Sequence, residues 1–223
     1  MWLVKSEAET NPNFGKRPYE RTIEEAVRNS VIIVDKNEGP TSHQISQWVK
    51  EIFSLKKTGH AGTLDPAATG VLPVALENAV KAMPALQGLT KEYVGVMRLH
   101  SEAPESALLE VVAKFVGRIK QLPPKRSAVA RKIREREVYF FDILEIDGRN
   151  VLFRTGVEAG TYIRKLVHDF GQALGTGAHL VELRRTRAGN FFEDQAYSLV
   201  EIRDAYEEAK KGDEKELRKI LIP

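Results

Sequence analysis

Hydrophobic positions along this chain switch repeatedly between helical and strand spacing. Residues 31 to 34, VIIV, form a short continuous apolar run that predicts a buried strand. Ahead of it, Thr22 with Glu25 three residues on forms a capping box and predicts a short helix. In TSHQISQWVKEIF, a second such pair, Thr41 and Gln44, precedes Ile45, Trp48, Val49 and Ile52 at helical spacing, which predicts an amphipathic helix. Tyr93 to Leu99 predicts a strand, and Pro104 to Val116 a helix whose Leu108, Val111, Val112 and Phe115 face the core before Gly117. EVYFFDILEI and VLFRTGV alternate with period two around Asp147-Gly148-Arg149-Asn150, the pattern of a hairpin. Thr161 to Leu174 predicts a helix with Ile163, Leu166, Val167 and Phe170 inward and Gly175 at its end. HLVELRR follows as a strand, and Ser198 with Glu201 opens a last helical region that ends at Gly212.

Residues 1 to 20, broken by Asn11-Pro12-Asn13 and Arg17-Pro18, read as an extended arm. Strands and helices alternate irregularly with at least one hairpin. That predicts an α+β fold with a mixed, largely antiparallel sheet and flanking helices. The organisation expected is an arm and short helix over residues 1–30, a main domain over 31–200, and a carboxy-terminal helical segment over 201–223.

Composition narrows the setting. The chain has 223 residues, 42% of them hydrophobic, enough to bury one substantial core. It has no cysteine, which removes disulfides and thiolate metal sites and suits a reducing compartment. The amino terminus has no signal-peptide pattern and no apolar run approaches a membrane span, so a soluble cytoplasmic protein without membrane contact is expected. Lys plus Arg outnumber Asp plus Glu by 34 to 31, a modest net charge of +3. Its distribution matters more. Residues 113 to 138 hold nine Lys or Arg against two Glu, and LRRTR at 183 to 187 adds three arginines; both blocks suit a polyanion. The mixed-sign tail from Glu201 to Lys219 reads as a solvated face.

The stretch carrying the most chemistry is GHAGTLDPAATGVLPVAL, residues 59 to 76, read as a loop in which one carboxylate, Asp65, lies among glycines and threonines. Gly59, Gly62 and Gly70 allow backbone conformations and close approaches closed to other residues, and Pro66 fixes the turn after the acid. Taken alone, an Asp before Pro is an ordinary turn residue. A phosphate-cradling P-loop is excluded, because Gly70 is followed by Val71 and Leu72 rather than Lys and Ser or Thr. The five histidines have no metal-ligand spacing, and the adjacent pair His168 and Asp169 is expected on different helix faces.

The wider string resembles the catalytic loop of the TruB-type pseudouridine synthases: Gly-His, then Gly-Thr-Leu-Asp-Pro, then Thr-Gly. Three more segments match that family in the same order: VDKNEGPTSHQ at 34 to 44, KEYVGVMRLH at 91 to 100, and GVEAGTYIRKLVHDFGQALGTGAHLVELRRTRAGNF at 156 to 191. The first departs at Asn37, where the family usually has proline. The resemblance covers almost the whole chain, and it lifts residues that singly would be ordinary core aromatics, turn residues or surface cations. It implies the pseudouridine synthase fold and a reaction, uridine to pseudouridine, that breaks the N1–C1′ bond and joins C5 to C1′ without redox change and without a cofactor or metal. Asp65 is implied as the catalytic carboxylate, with attack at C1′, addition to C6 and removal of a sugar proton all open to it. Arg164 would keep it ionised and oriented, since an opposite charge favours the charged form of an acid. Tyr93 would stack on the flipped uracil and is a candidate for handling the C5 proton, while His60, Tyr162 and Leu183 would line the pocket.

The arm, the short MRLHSEAPES connection and the QLPPKRSAVARKIREREVYFFDILEI segment are similar to archaeal, dyskerin-like members, the catalytic subunits of H/ACA ribonucleoproteins. That implies as partners an H/ACA guide RNA, an rRNA or tRNA substrate, and small zinc-ribbon, β-barrel and kink-turn-binding proteins, with the chain otherwise monomeric. The family usually carries a carboxy-terminal PUA domain, which the sequence to Pro223 does not include, so either a fragment of a longer protein or a natural minimal form is expected. Two rival readings remain: a non-catalytic RNA-binding scaffold, and a glycoside hydrolase, which would need a second acid facing Asp65.

Overall fold

The computed structural model describes residues 15–123, 130 and 132–223. Most of the expected arm, residues 1–14, and seven positions of the basic 113–138 block, 124–129 and 131, lie outside the described residues. In chain order the elements are α1 (Ile23–Arg28), β1 (Val31–Lys36), α2 (Ser42–Ile52), β2 (Thr58–His60), β3 (Thr69–Leu76), α3 (Met83–Gln87), β4 (Lys91–Leu99) and α4 (Glu105–Phe115). There follow β5 (Gly117–Gln121), β6 (Arg134–Asp147), β7 (Asn150–Val157), α5 (Ile163–Leu174), β8 (Ala178–Ala188), β9 (Phe191–Phe192), α6 (Leu199–Lys210) and α7 (Lys215–Ile220).

The strands form one sheet in the order β1-β3-β8-β4-β7-β6-β5, with β2 added to β3 and β9 to β8. Among the described residues every ladder is antiparallel except β3 with β8, which is parallel and two residues long, Thr69 opposite Arg184 and Gly70 opposite Arg185. That narrow seam joins two differently packed halves. On one side Ile32, Val34, Leu72 and Val74 pack with Ile45 and Val49 of α2 and with Ile202, Leu217 and Ile220 of the last two helices. On the other, Met97, Phe141, Val151 and Phe153 pack beneath Leu108 of α4 and Leu166, Val167 and Phe170 of α5.

Local chemistry explains several boundaries. Thr22, Thr41 and Ser198 each accept a bond from the backbone three residues on, and Glu25, Gln44 and Glu201 return it, so all three capping boxes form. The β6–β7 hairpin closes through the two-residue loop Gly148-Arg149, with Gly148 alone at positive φ (+53°), as a type II′ turn requires. Gly175 ends α5 in the left-handed conformation.

Four expectations need correction. The ends of the 59–76 stretch are strands, β2 and β3, and only the residues between them are loop. Trp48 is 42% exposed, because the buried stripe of α2 runs through Ile45 and Val49 with Ser42 and Ser46 completing it. The helical region continues past Gly212 into α7. The tail is also more than a solvated face: its charges line the outside, but Ile202, Ala205, Ala209, Leu217 and Ile220 are buried, and Ile222 pairs with Val31 across the β1 edge.

Candidate active site

Asp65 opens a tight turn at the seam. Ala68 N donates to the Asp65 carbonyl at 3.0 Å across Pro66 and Ala67, placing proline at the second turn position, where its fixed φ fits. Neighbouring elements anchor both sides of this turn. Ser42, buried at the start of α2, exchanges bonds with the Leu64 backbone, its Oγ accepting from Leu64 N at 2.8 Å and donating to Leu64 O at 3.1 Å. Gly39 N donates to Pro66 O at 3.0 Å. Leu64 and Ala68 are buried in the β4–β8 core while Asp65 projects outward, exposed.

Three buried cations stand behind the loop, bonded to carbonyl oxygens. Lys36 Nζ donates to Asn37 O, Pro66 O and Ala68 O at 2.9, 3.0 and 2.7 Å. Arg185, 1% exposed, donates from Nε to Val71 O at 2.7 Å and from Nη2 to Gly62 O at 3.3 Å. Lys91 Nζ donates to Gln87 O at 2.8 Å and also to Leu89 O. Burial lowers Lys36 below the usual lysine range, partly offset by Glu38 and Asp65, and burial beside Arg185 lowers Lys91 to about 8. A carbonyl that would otherwise be buried without a donor costs about 1–3 kcal/mol, so Lys36 and Arg185 fix the loop by satisfying its carbonyls, while Lys91 does the same for the end of α3 and the residues after it.

Asp65 faces a cavity of about 470 Å³, within the range that holds a small ligand. Tyr93, Tyr162, Arg164 and Leu183 line it with Asp65, as do Lys91 and Arg185. Arg164, on the first turn of α5, grips the carboxylate with both prongs: Nε lies 2.7 Å from Oδ2, and Nη2 donates to Oδ1 at 3.1 Å. Tyr93 is 8% exposed on β4. Tyr162, the residue before α5, is held through its backbone, its N–H donating to Gln121 Oε1 at 3.0 Å while Gln121 Nε2 donates back to Tyr162 O at 3.2 Å. Leu183 lies opposite Gly95 across the β4–β8 ladder, where a larger residue would press on it. The cavity therefore combines an oriented carboxylate, aromatic and aliphatic walls, and a rigid cationic floor.

The family model for the TruB family pseudouridylate synthase N-terminal domain matches residues 50–163, just over half of the chain. The chain belongs to the TruB family. The model for the tRNA pseudouridylate synthase B C-terminal domain follows over residues 164–223, and that for the DKCLD domain covers residues 1–46. The "probable tRNA pseudouridine synthase B" proteins of Methanopyrus kandleri and Pyrococcus horikoshii are each 54% identical over 99% of this chain, covering 66% and 67% of their own lengths. Among solved structures, a Cbf5-Nop10-Gar1 complex contains a chain that superposes with a TM-score of 0.92 at 52% identity, over 97% of this chain and 66% of that one. The structure of an H/ACA RNP bound to a substrate RNA containing 2′-deoxyuridine gives 0.89 at 48% identity, over 99% and 68%. The TruB-family chain thus spans about two thirds of the length of the curated relatives it matches.

Five of the six site residues expected from the TruB resemblance, Asp65, Tyr93, Tyr162, Arg164 and Leu183, meet around one cavity. His60 does not. It lies on β2 and lines a separate groove, with its Nδ1 buried and without a hydrogen-bond partner among the described residues. Burial, with His43 and Arg185 nearby, holds its imidazole below the usual histidine range.

LRRTR is not a free basic patch in the structure. Arg184 pairs with Asp35 at 3.0 Å and Glu193 at 2.8 Å, Arg185 is buried, and Arg187 lies 3.7 Å from Glu92. His168 and Asp169 touch at 3.3 Å rather than diverging, and Lys165 also pairs with Asp169. No group of three metal-ligating side chains and no helix long and apolar enough to cross a membrane occurs among the described residues.

Lys36, Lys91 and Arg185 were the residues that sequence reasoning missed as parts of this site. Their signal was faint: a lysine after a buried strand, a lysine two positions before Tyr93, and an arginine counted as surface charge.

Proposed function

We propose that this chain is an RNA pseudouridine synthase, with Asp65 as the catalytic carboxylate. The observation carrying the reading is the two-pronged Asp65–Arg164 pair at the mouth of a cavity walled by Tyr93, Tyr162 and Leu183. The reaction is an isomerisation. The N1–C1′ bond breaks, the uracil turns, C5 bonds to C1′, C5 gives up its proton and N1 gains one. Arg164 orients the carboxylate and Tyr93 stacks on the extruded base. Tyr162 and Leu183 restrict the detached uracil so that C5 rather than N1 meets the sugar. Nothing in that balance calls for an external oxidant, reductant or energy source.

The substrate is an RNA uridine, in rRNA selected by an H/ACA guide or in the T-loop of tRNA. The likeness to the Cbf5 chain of the Cbf5-Nop10-Gar1 complex supports assembly with small proteins of the Nop10 and Gar1 kind, and the TruB resemblance adds a kink-turn-binding protein. The setting is the cytoplasm. His60, across the loop from the cavity, holds flanking RNA rather than the target base. Incubating the chain with a tRNA transcript and with a guided rRNA fragment, then mapping pseudouridine, tests the reading. Conversion by the wild type and its loss in Asp65→Asn is the expected result; turnover retained by Asp65→Asn removes Asp65 from its role.

A further inference from the structure

A second groove, of about 450 Å³, opens beside the Asp65 cavity, and Gln87 at the end of α3 lines both. Its walls carry Lys50 from α2, Lys56 and Lys57 from the connection to β2, and the two histidines His43 and His60. It has no aspartate or glutamate among its lining residues. None of the three lysines pairs with a carboxylate among the described residues, unlike Arg184 and Arg187, whose charge is spent on Asp35, Glu193 and Glu92. The groove is also built rigidly. Ser46, buried in α2, meets Thr58 of β2 hydroxyl to hydroxyl at 3.0 Å, and Thr58 Oγ1 donates to Ser46 O at 2.8 Å, which fixes the lysine-bearing helix and loop on either side. Beyond it, Lys57 O accepts from Glu77 N at 3.1 Å.

We infer that this groove is a phosphate track for the RNA strand flanking the target nucleotide. The strand runs past Gln87 and lays successive phosphates on Lys50, Lys56 and Lys57 beside His43. The inference rests on the RNA-synthase reading above and adds to it a binding surface outside the Asp65 cavity. A continuous path matters because a base turned into the Asp65 cavity leaves its neighbouring phosphates on the rim, and here the rim leads into uncompensated positive charge. The occupant is a polyanion rather than a single phosphate, since three lysines from two elements are spread along one groove. Phosphate contacts of this kind position the strand and carry no sequence information.

The test compares three proteins: the wild type, a Lys50→Gln/Lys56→Gln/Lys57→Gln triple variant, and a control that removes the same charge from the carboxy-terminal region, Lys210→Gln/Lys211→Gln/Lys215→Gln. Each is titrated with a fluorescent tRNA T-stem-loop over a range of salt, and single-turnover conversion is followed at saturating RNA. The groove variant is expected to lose at least tenfold in affinity at low salt. Its dependence of log affinity on log salt should be shallower by about 2, since each lost phosphate contact removes about 0.7 from the slope. Its rate at saturation should stay within twofold of wild type, and the control should match wild type throughout. Affinity and slope in the groove variant equal to those of the control, with wild-type conversion intact, would overturn the inference alone. A defect that appears only when partner proteins are added would overturn it too, by assigning the groove to a protein. Absence of conversion in all three proteins would instead bring down the synthase reading, and this inference with it.

Discussion

Arg164 and Asp65, 99 residues apart in sequence, meet as a fork on a carboxylate, Nε to Oδ2 at 2.7 Å and Nη2 to Oδ1 at 3.1 Å. Both side chains are about half exposed, so the pair adds little to stability, about 0–1 kcal/mol. Its value is geometric, since two prongs set the plane of the carboxylate as well as its place.

Arg164→Met should therefore lower turnover by roughly 100-fold, the scale of a misplaced catalytic group, while leaving RNA affinity and the thermal midpoint nearly unchanged. Arg164→Lys, which keeps the charge but not the fork, should recover only part of the loss. Single-turnover kinetics beside thermal melts would check this. A variant that melts early in proportion to its lost activity would show the pair to be structural.

Lys91 predicts a pH dependence. An ordinary lysine titrates near 10.5, and burial beside Arg185 lowers this one to about 8 in the folded chain. Below pH 8 it is charged whether folded or unfolded, and the folded state bears the full cost of the buried charge. Between 8 and 10.5 the folded protein releases the proton while the unfolded chain keeps it, so stability rises with pH, by up to roughly 3 kcal/mol. Above 10.5 the gain is complete. Urea midpoints of wild type and Lys91→Met across this window should diverge, with the rise absent from the variant. Parallel curves would mean that Lys91 titrates as an ordinary lysine.

Tyr93 requires a gentler substitution than alanine. The side chain is 8% exposed and packs with Met97, Phe153 and Leu166 in the core under α5, so Tyr93→Ala would cost on the order of 3–5 kcal/mol from the cavity alone. Tyr93→Phe keeps the packing and the aromatic face, worth about 1–3 kcal/mol per stacked base. Tyr93→Leu keeps the packing without that face. If stacking is the role, Phe should retain affinity for RNA and Leu should lose it at similar thermal midpoints. Equal loss of turnover in Phe and Leu, with affinity kept, would instead assign the hydroxyl a part in moving the C5 proton.

Much of the fold was legible because it rests on local rules. The pairs Thr22–Glu25, Thr41–Gln44 and Ser198–Glu201 marked helix starts, and the period-two runs around Gly148-Arg149 marked the β6–β7 hairpin. What escaped depended on distant partners. Strand β3 contains Pro73, which argues against a central strand. Its carbonyl accepts from Ala61 N at 2.9 Å, and a strand residue's N and O point to the same side, so the missing N–H lies away from β1, just past the end of β2. Helix α7 lacks a side-chain cap and is held by Leu217 and Ile220 against the β1 half of the core. Around the site, the motif marked Asp65, Tyr93, Tyr162, Arg164 and Leu183, whereas charge counting showed neither the ion pairs of Arg184 and Arg187 nor the burial of Arg185, because pairing and burial are tertiary facts.

The seam between β3 and β8 supplies the last prediction, because there a glycine couples stability to the site. Gly70 has φ +98°, and a Cβ built on it would lie 2.2 Å from the Arg185 carbonyl oxygen and 3.0 Å from its backbone N and C. Those are backbone atoms, so no rotamer change relieves the clash, and the parallel pairing of Gly70 with Arg185 would have to open. Opening it draws the Arg185 guanidinium away from Val71 O and Gly62 O, and the loop bearing Asp65 loses one of its anchors. Gly148 is the natural comparison. It too has positive φ, +53°, but nothing lies within 4 Å of its Cβ position, so Gly148→Ala should cost about 1–2 kcal/mol from backbone conformation alone and leave turnover unchanged. Gly70→Ala should cost more, at least about 3 kcal/mol from strain and clash together. It should also lower turnover per folded molecule, measured well below its melting point. If the two variants lose equal stability and both keep full turnover, the seam does not hold the Asp65 loop in place.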